Sequence, residues 1–338
     1  MKSSKTVIID GFQRLSEAQW SMLSLAHPGG RLFASGSSYK LVSEVFDKRS
    51  PLLGLLAPYK MDIISYADAV KALIAADFRP HEALIWGVLI RDPWILPMLD
   101  QTKSLAEGLI SILPSLCMSA EGLVGEVFEE EDKTLTRLYD SVLRLIADRI
   151  WRPSEIAGIL SSAGLIQGGL PTITGILDKL VKIGLVKKIP LWHTKGARYY
   201  YRLSSPVVSI AYYLGQKYEF LNTVKIDANM VNMLLGKEAE RAVSNLMSQY
   251  KNGLGAYMLS KEGDIDVAIL DKRGKKPIAA YELKLGAISK LEARKAVERI
   301  HAQGIAKAGL ISFSERPIYG DADELLGPDD LTKIAKGA

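Results

Sequence analysis

Two apolar runs near the C-terminus, Gly263-Asp264-Ile265-Asp266-Val267-Ala268-Ile269 and Ala280-Tyr281-Glu282-Leu283-Lys284-Leu285, constrain this chain more than any other feature. Read as neighbouring strands joined through the polar turn Asp271-Lys272-Arg273-Gly274, they place Asp266 on one strand and Glu282 and Lys284 on the next. Glu282 and Lys284 are two positions apart, so they leave their strand on the same face. Two carboxylates and one ammonium on a rigid sheet suit a hard divalent cation such as Mg2+ or Mn2+, with the lysine placed to orient an attacking water. That chemistry fits hydrolysis of a phosphodiester. The Glu-x-Lys triplet alone carries little, because Glu131-Asp132-Lys133 is another, inside the acidic run 126–132 that is expected to be a solvated connection. Context separates the two. Only the C-terminal triplet has an apolar strand before it, an aspartate on the neighbouring strand, and an upstream helix (236–243) that adds Glu240. Asp264, two residues from Asp266, is a supporting acid. If all four carboxylates converge with Lys284 as their compensating charge, they raise one another's pKa.

This arrangement resembles the PD-(D/E)XK nuclease superfamily over residues 236–338, with Glu240 at the helix acid, Asp266 at the metal aspartate, and Glu282 and Lys284 at the Glu-x-Lys pair. The resemblance implies a restriction-endonuclease-like α/β/α domain. It implies a catalytic set of Asp266, Glu282, Lys284 and Glu240, with Mg2+ or Mn2+ on Asp266 and Glu282 and the carbonyl of Leu283 as a further ligand.

At 338 residues the chain has room for several cored domains, and 48% apolar with 24% charged residues is the composition of a globular protein. The single cysteine, Cys117, excludes an internal disulfide and fits a reducing interior. Its apolar surroundings make it a small core residue, not a nucleophile. Four histidines and one cysteine exclude a zinc finger. No signal peptide and no membrane span are expected, which points to the cytoplasm. The net charge of +5 permits a polyanionic partner without demanding one.

At the N-terminus, the strand Thr6 to Asp10, a helix from Ser16 to Ala26 and a strand Arg31 to Ser35 alternate, which implies a parallel sheet. Val7 to Asp10 resembles the Walker B strand of archaeal AAA+-type ATPases that carry a nuclease-like C-terminal domain, and Ser35-Gly36-Ser37-Ser38 resembles their sensor strand end. The departures matter. No Gly-x-x-x-x-Gly-Lys-Ser/Thr segment exists to cradle phosphates. Gly11 stands where that family has a water-orienting Glu, and Leu55 where it has an Arg. Residues 1–95 are therefore expected to be a degenerate AAA+ remnant that uses no ATP, followed by a helical lid over 96–134. A homo-oligomer, or an intact ATPase relative as partner, would fit such a remnant.

Residues 135–205 read as a winged helix-turn-helix: a helix from Pro153, a turn at Gly164, a helix from Thr172 to Gly184, a strand 185–191, a loop tip 193–197 and a return strand 198–203. Lys179, Lys182, Lys187, Lys188, Lys195 and Arg198 give it a positive excess suited to the phosphates of double-stranded DNA. Of the three consecutive tyrosines, Tyr200 should face oppositely to Tyr199 and Tyr201. Residues 206–235 are expected to form a linker helix. The overall expectation is a multidomain α/β protein that binds DNA and hydrolyses phosphodiesters. The alternative is a non-catalytic winged-helix regulator or an assembly subunit of a nucleotide-driven complex.

Overall fold

A computed structural model describes residues 6–26, 30–36, 39–100, 102–131, 136–192, 198–218, 227–259 and 263–338, and the protein is a mixed α/β fold. The first strands, β1 (Thr6–Ile9) and β2 (Arg31–Ala34), pair in parallel, with Thr6 opposite Arg31 and Ile9 opposite Ala34. The helix α1 (Glu17–Ala26) lies between them in sequence, and α2 (Tyr39–Val45) follows. Phe12 and Trp20 stack with ring centroids 5.9 Å apart and, with Leu41, Val45 and Leu52, form a small core separate from the main one.

Four helices lead from there to the helical pair before the hairpin. In α3 (Tyr66–Ala75) the Ser65 side chain accepts the backbone N–H of Asp68, and Tyr66, Val70 and Leu73 form the buried stripe. The next helix, α4 (Pro80–Ile90), starts on proline and buries almost every residue from Ala83 to Ile90, so it runs through the interior. In α5 (Leu105–Glu131) Leu109, Leu113, Leu116, Ala120 and Val124 are buried at helical spacing. The acidic residues 126–131, expected as a connection, are instead its last turns. Phe128 explains the difference: it is buried against Tyr139 of α6 (Thr136–Ala147), ring centroids 5.7 Å apart, and anchors that end of the helix. Over Leu105–Phe128 this helix has the length and apolar character of a membrane span, yet its buried stripe packs on helices of the main core.

The pair α7 (Pro153–Ser162) and α8 (Gly169–Ile183) precedes the hairpin β3 (Val186–Trp192) and β4 (Tyr199–Leu203). Gly184 closes α8 in the left-handed region at φ 92°, as the sequence suggested. Then follow α9 (Pro206–Tyr218), α10 (Ala228–Tyr250), β5 (Leu254–Met258), β6 (Ile265–Leu270), β7 (Pro277–Lys284), α11 (Lys290–Ala302), β8 (Ala308–Ser312), β9 (Glu324–Leu326) and α12 (Pro328–Gly337). Val207, Ile210, Ala211 and Leu214 bury α9 in the main core, and α10 runs unbroken across the expected boundary at residue 236.

The hairpin does not stand apart. One seven-stranded mixed sheet has the order β4-β3-β5-β6-β7-β8-β9, because Leu191 and Trp192 of β3 pair in parallel with Tyr257 and Met258 of β5. The pairs β5–β6 and β6–β7 are antiparallel, and β7–β8 and β8–β9 are parallel. Ala279, Tyr281 and Leu283 of β7 belong to the main core with α10 and α12, while Ala280 joins a second core with Ala293, Val297 and Ile300 of α11. Alternation along β7 therefore puts Glu282 and Lys284 on the α11 side.

Candidate functional site

Asp266 and Glu282 meet across two antiparallel strands, one position beyond the Val267–Tyr281 pair. The backbone N–H of Leu283 donates to Oδ2 of Asp266 at 2.9 Å. The same residue whose carbonyl is expected as a further metal ligand thus fixes the aspartate through its amide. Burial and then the charge of Glu282 push the Asp266 carboxyl up to about 6, against the pull of that amide and of Lys237 and Lys284. Glu240 approaches from α10 and accepts a hydrogen bond from Nζ of Lys237 at 2.6 Å. Burial and then the charge of Asp266 push the Glu240 carboxyl up to about 7. Glu240, Asp266 and Glu282 therefore form an electrostatic chain with Asp266 at its centre.

The compensation differs from the expectation of Lys284 alone. Nζ of Lys284 lies 3.2 Å from Oε1 of Glu282, and Arg299 of α11 donates to Oε2 of the same carboxylate. Lys237 holds Glu240. Asp264 accepts from the Tyr257 hydroxyl at 3.1 Å and lines a cavity with Glu240. Three cations thus share the work assigned to one, and the four carboxylates do not converge. Among the described residues, no three His, Cys, Asp or Glu side chains are grouped so that they could hold a metal ion. Asp266 and Glu282 remain the two oxygen donors that stand together. Arg299 escaped the sequence reading, although Ser289 and Glu292 form a capping box that marks the start of its helix. Gly263, at φ 118°, keeps space for Arg299: a Cβ there would stand 3.3 Å from Nη1.

A cavity of about 200 Å3 opens beside Glu240, lined among others by Arg149, Trp151, Tyr200, Lys237 and Tyr257. Tyr200 and Tyr257 stack at 4.4 Å, and Trp151 lies 5.3 Å from Tyr200. Lys188 sits over Tyr199 and Tyr201, so the alternation read for the three tyrosines holds.

The basic residues of the hairpin region divide. Nζ of Lys187 pairs with Asp62 at 2.6 Å and Nζ of Lys188 with Asp178 at 2.6 Å. Lys179 stands over the Tyr139 ring, whereas Lys182 and Arg198 are exposed. Lys195 and the rest of the loop tip lie outside the described residues. In the N-terminal unit the two quoted motifs do meet: Oγ of Ser35 donates to Oδ1 of Asp10 at 2.5 Å, and the Gly11 N–H donates to the same oxygen at 3.0 Å. Those bonds hold the Asp10 carboxyl below its usual range. Gly11 has φ 69°, a backbone conformation that a Glu there would adopt only under strain.

Against known proteins, no family model matches the chain, and no curated protein matches it significantly.

Proposed function

We propose that the chain is a metal-dependent nuclease acting on DNA, built from a PD-(D/E)XK-like sheet, a winged helix whose hairpin extends that sheet, and an AAA+-like N-terminal remnant that uses no ATP. The observation that carries the reading is the cross-strand pair Asp266 and Glu282, with Lys284 on the face of Glu282 and Glu240 arriving from α10. Two hard oxygen donors whose neighbours raise a carboxyl pKa suit Mg2+ or Mn2+, because a divalent cation relieves the repulsion that lifts Asp266. Such an ion would neutralise charge on a phosphate oxygen and make a water more acidic. Lys284, with its side chain 41% exposed, can donate to a water or a phosphate oxygen from the side of Glu282. Glu240, holding a proton near neutrality, can accept or return one beside Asp266.

The clamp of Arg299 and Lys284 on Glu282 favours a second reading, a DNA-binding module in which the acids are already neutralised. A cleavage assay separates the two. Wild-type protein with manganese should nick duplex DNA, and Glu282→Gln and Lys284→Met should each lower the rate by about a hundredfold or more. Folded protein that binds duplex DNA without nicking it would leave the module reading.

A further inference from the structure

The cavity beside Glu240 is walled on one side by a row of rings, in which Trp151 leans on Tyr200 at 5.3 Å and Tyr200 stacks on Tyr257 at 4.4 Å. Trp151 and Tyr257, the outer rings of the row, are half-buried. The charges of the wall largely cancel. Arg202 meets Oε1 of Glu238 at 2.6 Å, and Lys237 holds Glu240 at 2.6 Å. Among the described residues, that leaves Arg149 and Asp264 in the wall without an opposite charge in ion-pair contact, and both are exposed. Asp264 accepts from the Tyr257 hydroxyl, and Arg149 stands over the Tyr213 ring at 5.6 Å. Burial raises the Tyr200 hydroxyl while the charges of Arg202 and Arg149 pull it back, so Arg149 acts on the row of rings as well.

Arg149 also carries backbone strain. The Arg149 N–H donates to the Ile146 carbonyl at 3.0 Å and the Ile150 N–H to the Leu145 carbonyl at 2.9 Å, closing α6 with Arg149 at φ 67°. Glycine is the usual occupant of that position. The other non-glycine residues with positive φ among the described ones are Asp77 and Asn252, whose short polar side chains can compensate locally; an arginine cannot. Strain retained at a cavity wall points to a side chain retained for what it binds. A guanidinium for a phosphate, rings for a planar base and a carboxylate for the N–H groups of a base edge are together what a nucleotide requires.

We propose that this cavity is a nucleotide pocket, which packs an unpaired base of the DNA strand against Trp151 and Tyr257, with its phosphate on Arg149 and its N–H edge on Asp264. The assignment to a DNA strand rests on the nuclease reading; the pocket itself does not.

The test is titration calorimetry of the full chain, without metal, with each of the deoxynucleoside 5′-monophosphates. At least one should bind, and deoxyribose 5-phosphate, which lacks the base, should bind about tenfold more weakly or not at all. Arg149→Gly should weaken binding by about tenfold or more, while relief of strain leaves the melting temperature unchanged or raises it by about 2 °C. Asp264→Ala, at an exposed position, is the second variant and should weaken binding by about fivefold or more. A single-stranded oligodeoxynucleotide should compete with the monophosphate. No monophosphate binding by the wild type, equal binding of the base-free sugar phosphate, or undiminished binding in both variants overturns the pocket. A melting temperature lowered by more than about 5 °C in Arg149→Gly overturns the role given to Arg149. Monophosphate binding without competition by the oligonucleotide overturns the assignment to a DNA strand. Monophosphate binding by a chain that nicks no DNA with manganese supports the pocket while the nuclease reading fails, and nicking without monophosphate binding overturns the pocket while the nuclease reading stands.

Discussion

Replacing Asp266 by Asn isolates the strain in the acid chain, because the amide keeps an oxygen for the Leu283 N–H and removes only the charge. Alanine would instead orphan that buried donor, at a cost of about 1–3 kcal/mol. The Asp266 carboxyl moves from an ordinary 3.8 to about 6 in the folded protein, so the folded state holds its proton more tightly than the unfolded one. The sign follows. Below the unfolded value both states are protonated and nothing is lost; as pH rises through the folded value the penalty becomes complete. Such a rise corresponds to about 3 kcal/mol. The Asn amide must still be desolvated, which returns part of that, leaving a net gain of about 1–2 kcal/mol above pH 7. Removing the Asp266 charge also lets Glu240 ionise more easily, which adds in the same direction. In metal-free buffer Asp266→Asn should melt about 2 °C above wild type at pH 7.5 and with no advantage at pH 4. Loss of stability at pH 7.5, or a gain that does not depend on pH, would refute the reasoning.

Other perturbations separate the remaining parts of the account. Arg202→Met leaves Glu238 buried at 5% exposure without its ion-pair partner, and should cost about 3–5 kcal/mol in a urea melt. Duplex DNA should bind with strong salt dependence, and Lys182→Ala and Arg198→Ala should each reduce the log–log salt slope by about 1 in a fluorescence anisotropy titration. Lys187→Ala should act more on stability than on affinity, since Lys187 is tied to Asp62 at 2.6 Å.

What the sequence revealed and what it hid divide by range. The strands β6 and β7, their turn, and the shared face of Glu282 and Lys284 follow from local alternation, and the structure has them. The helical pair and hairpin were legible for the same reason, since Gly184 and the pattern of α8 are local signals. The junction of β3 with β5 was not. It rests on two residue pairs far apart in the chain, and nothing in either strand specifies its partner. Long-range ion pairs are equally silent: Lys187 reads as a phosphate ligand, and nothing in the sequence points to Asp62, 125 positions away, as its partner. Arg299 belongs to the same class, for a cation on a helix face gives no sign of which carboxylate it will neutralise. The acidic end of α5 shows a different failure, where one buried aromatic, Phe128, outweighs the acidic composition around it.

Manganese titration calorimetry of the full chain at pH 6.5, repeated in buffers of different ionisation enthalpy, tests most directly whether the acid chain holds a divalent cation. With Asp266 at about 6 and Glu240 at about 7, the metal-free site is partly protonated at that pH. Binding should therefore release on the order of one proton, seen as a buffer-dependent heat, and both the binding and the release should vanish in Asp266→Asn. Absence of a binding heat in the wild type, or manganese binding with no proton released and undiminished in Asp266→Asn, would contradict the account.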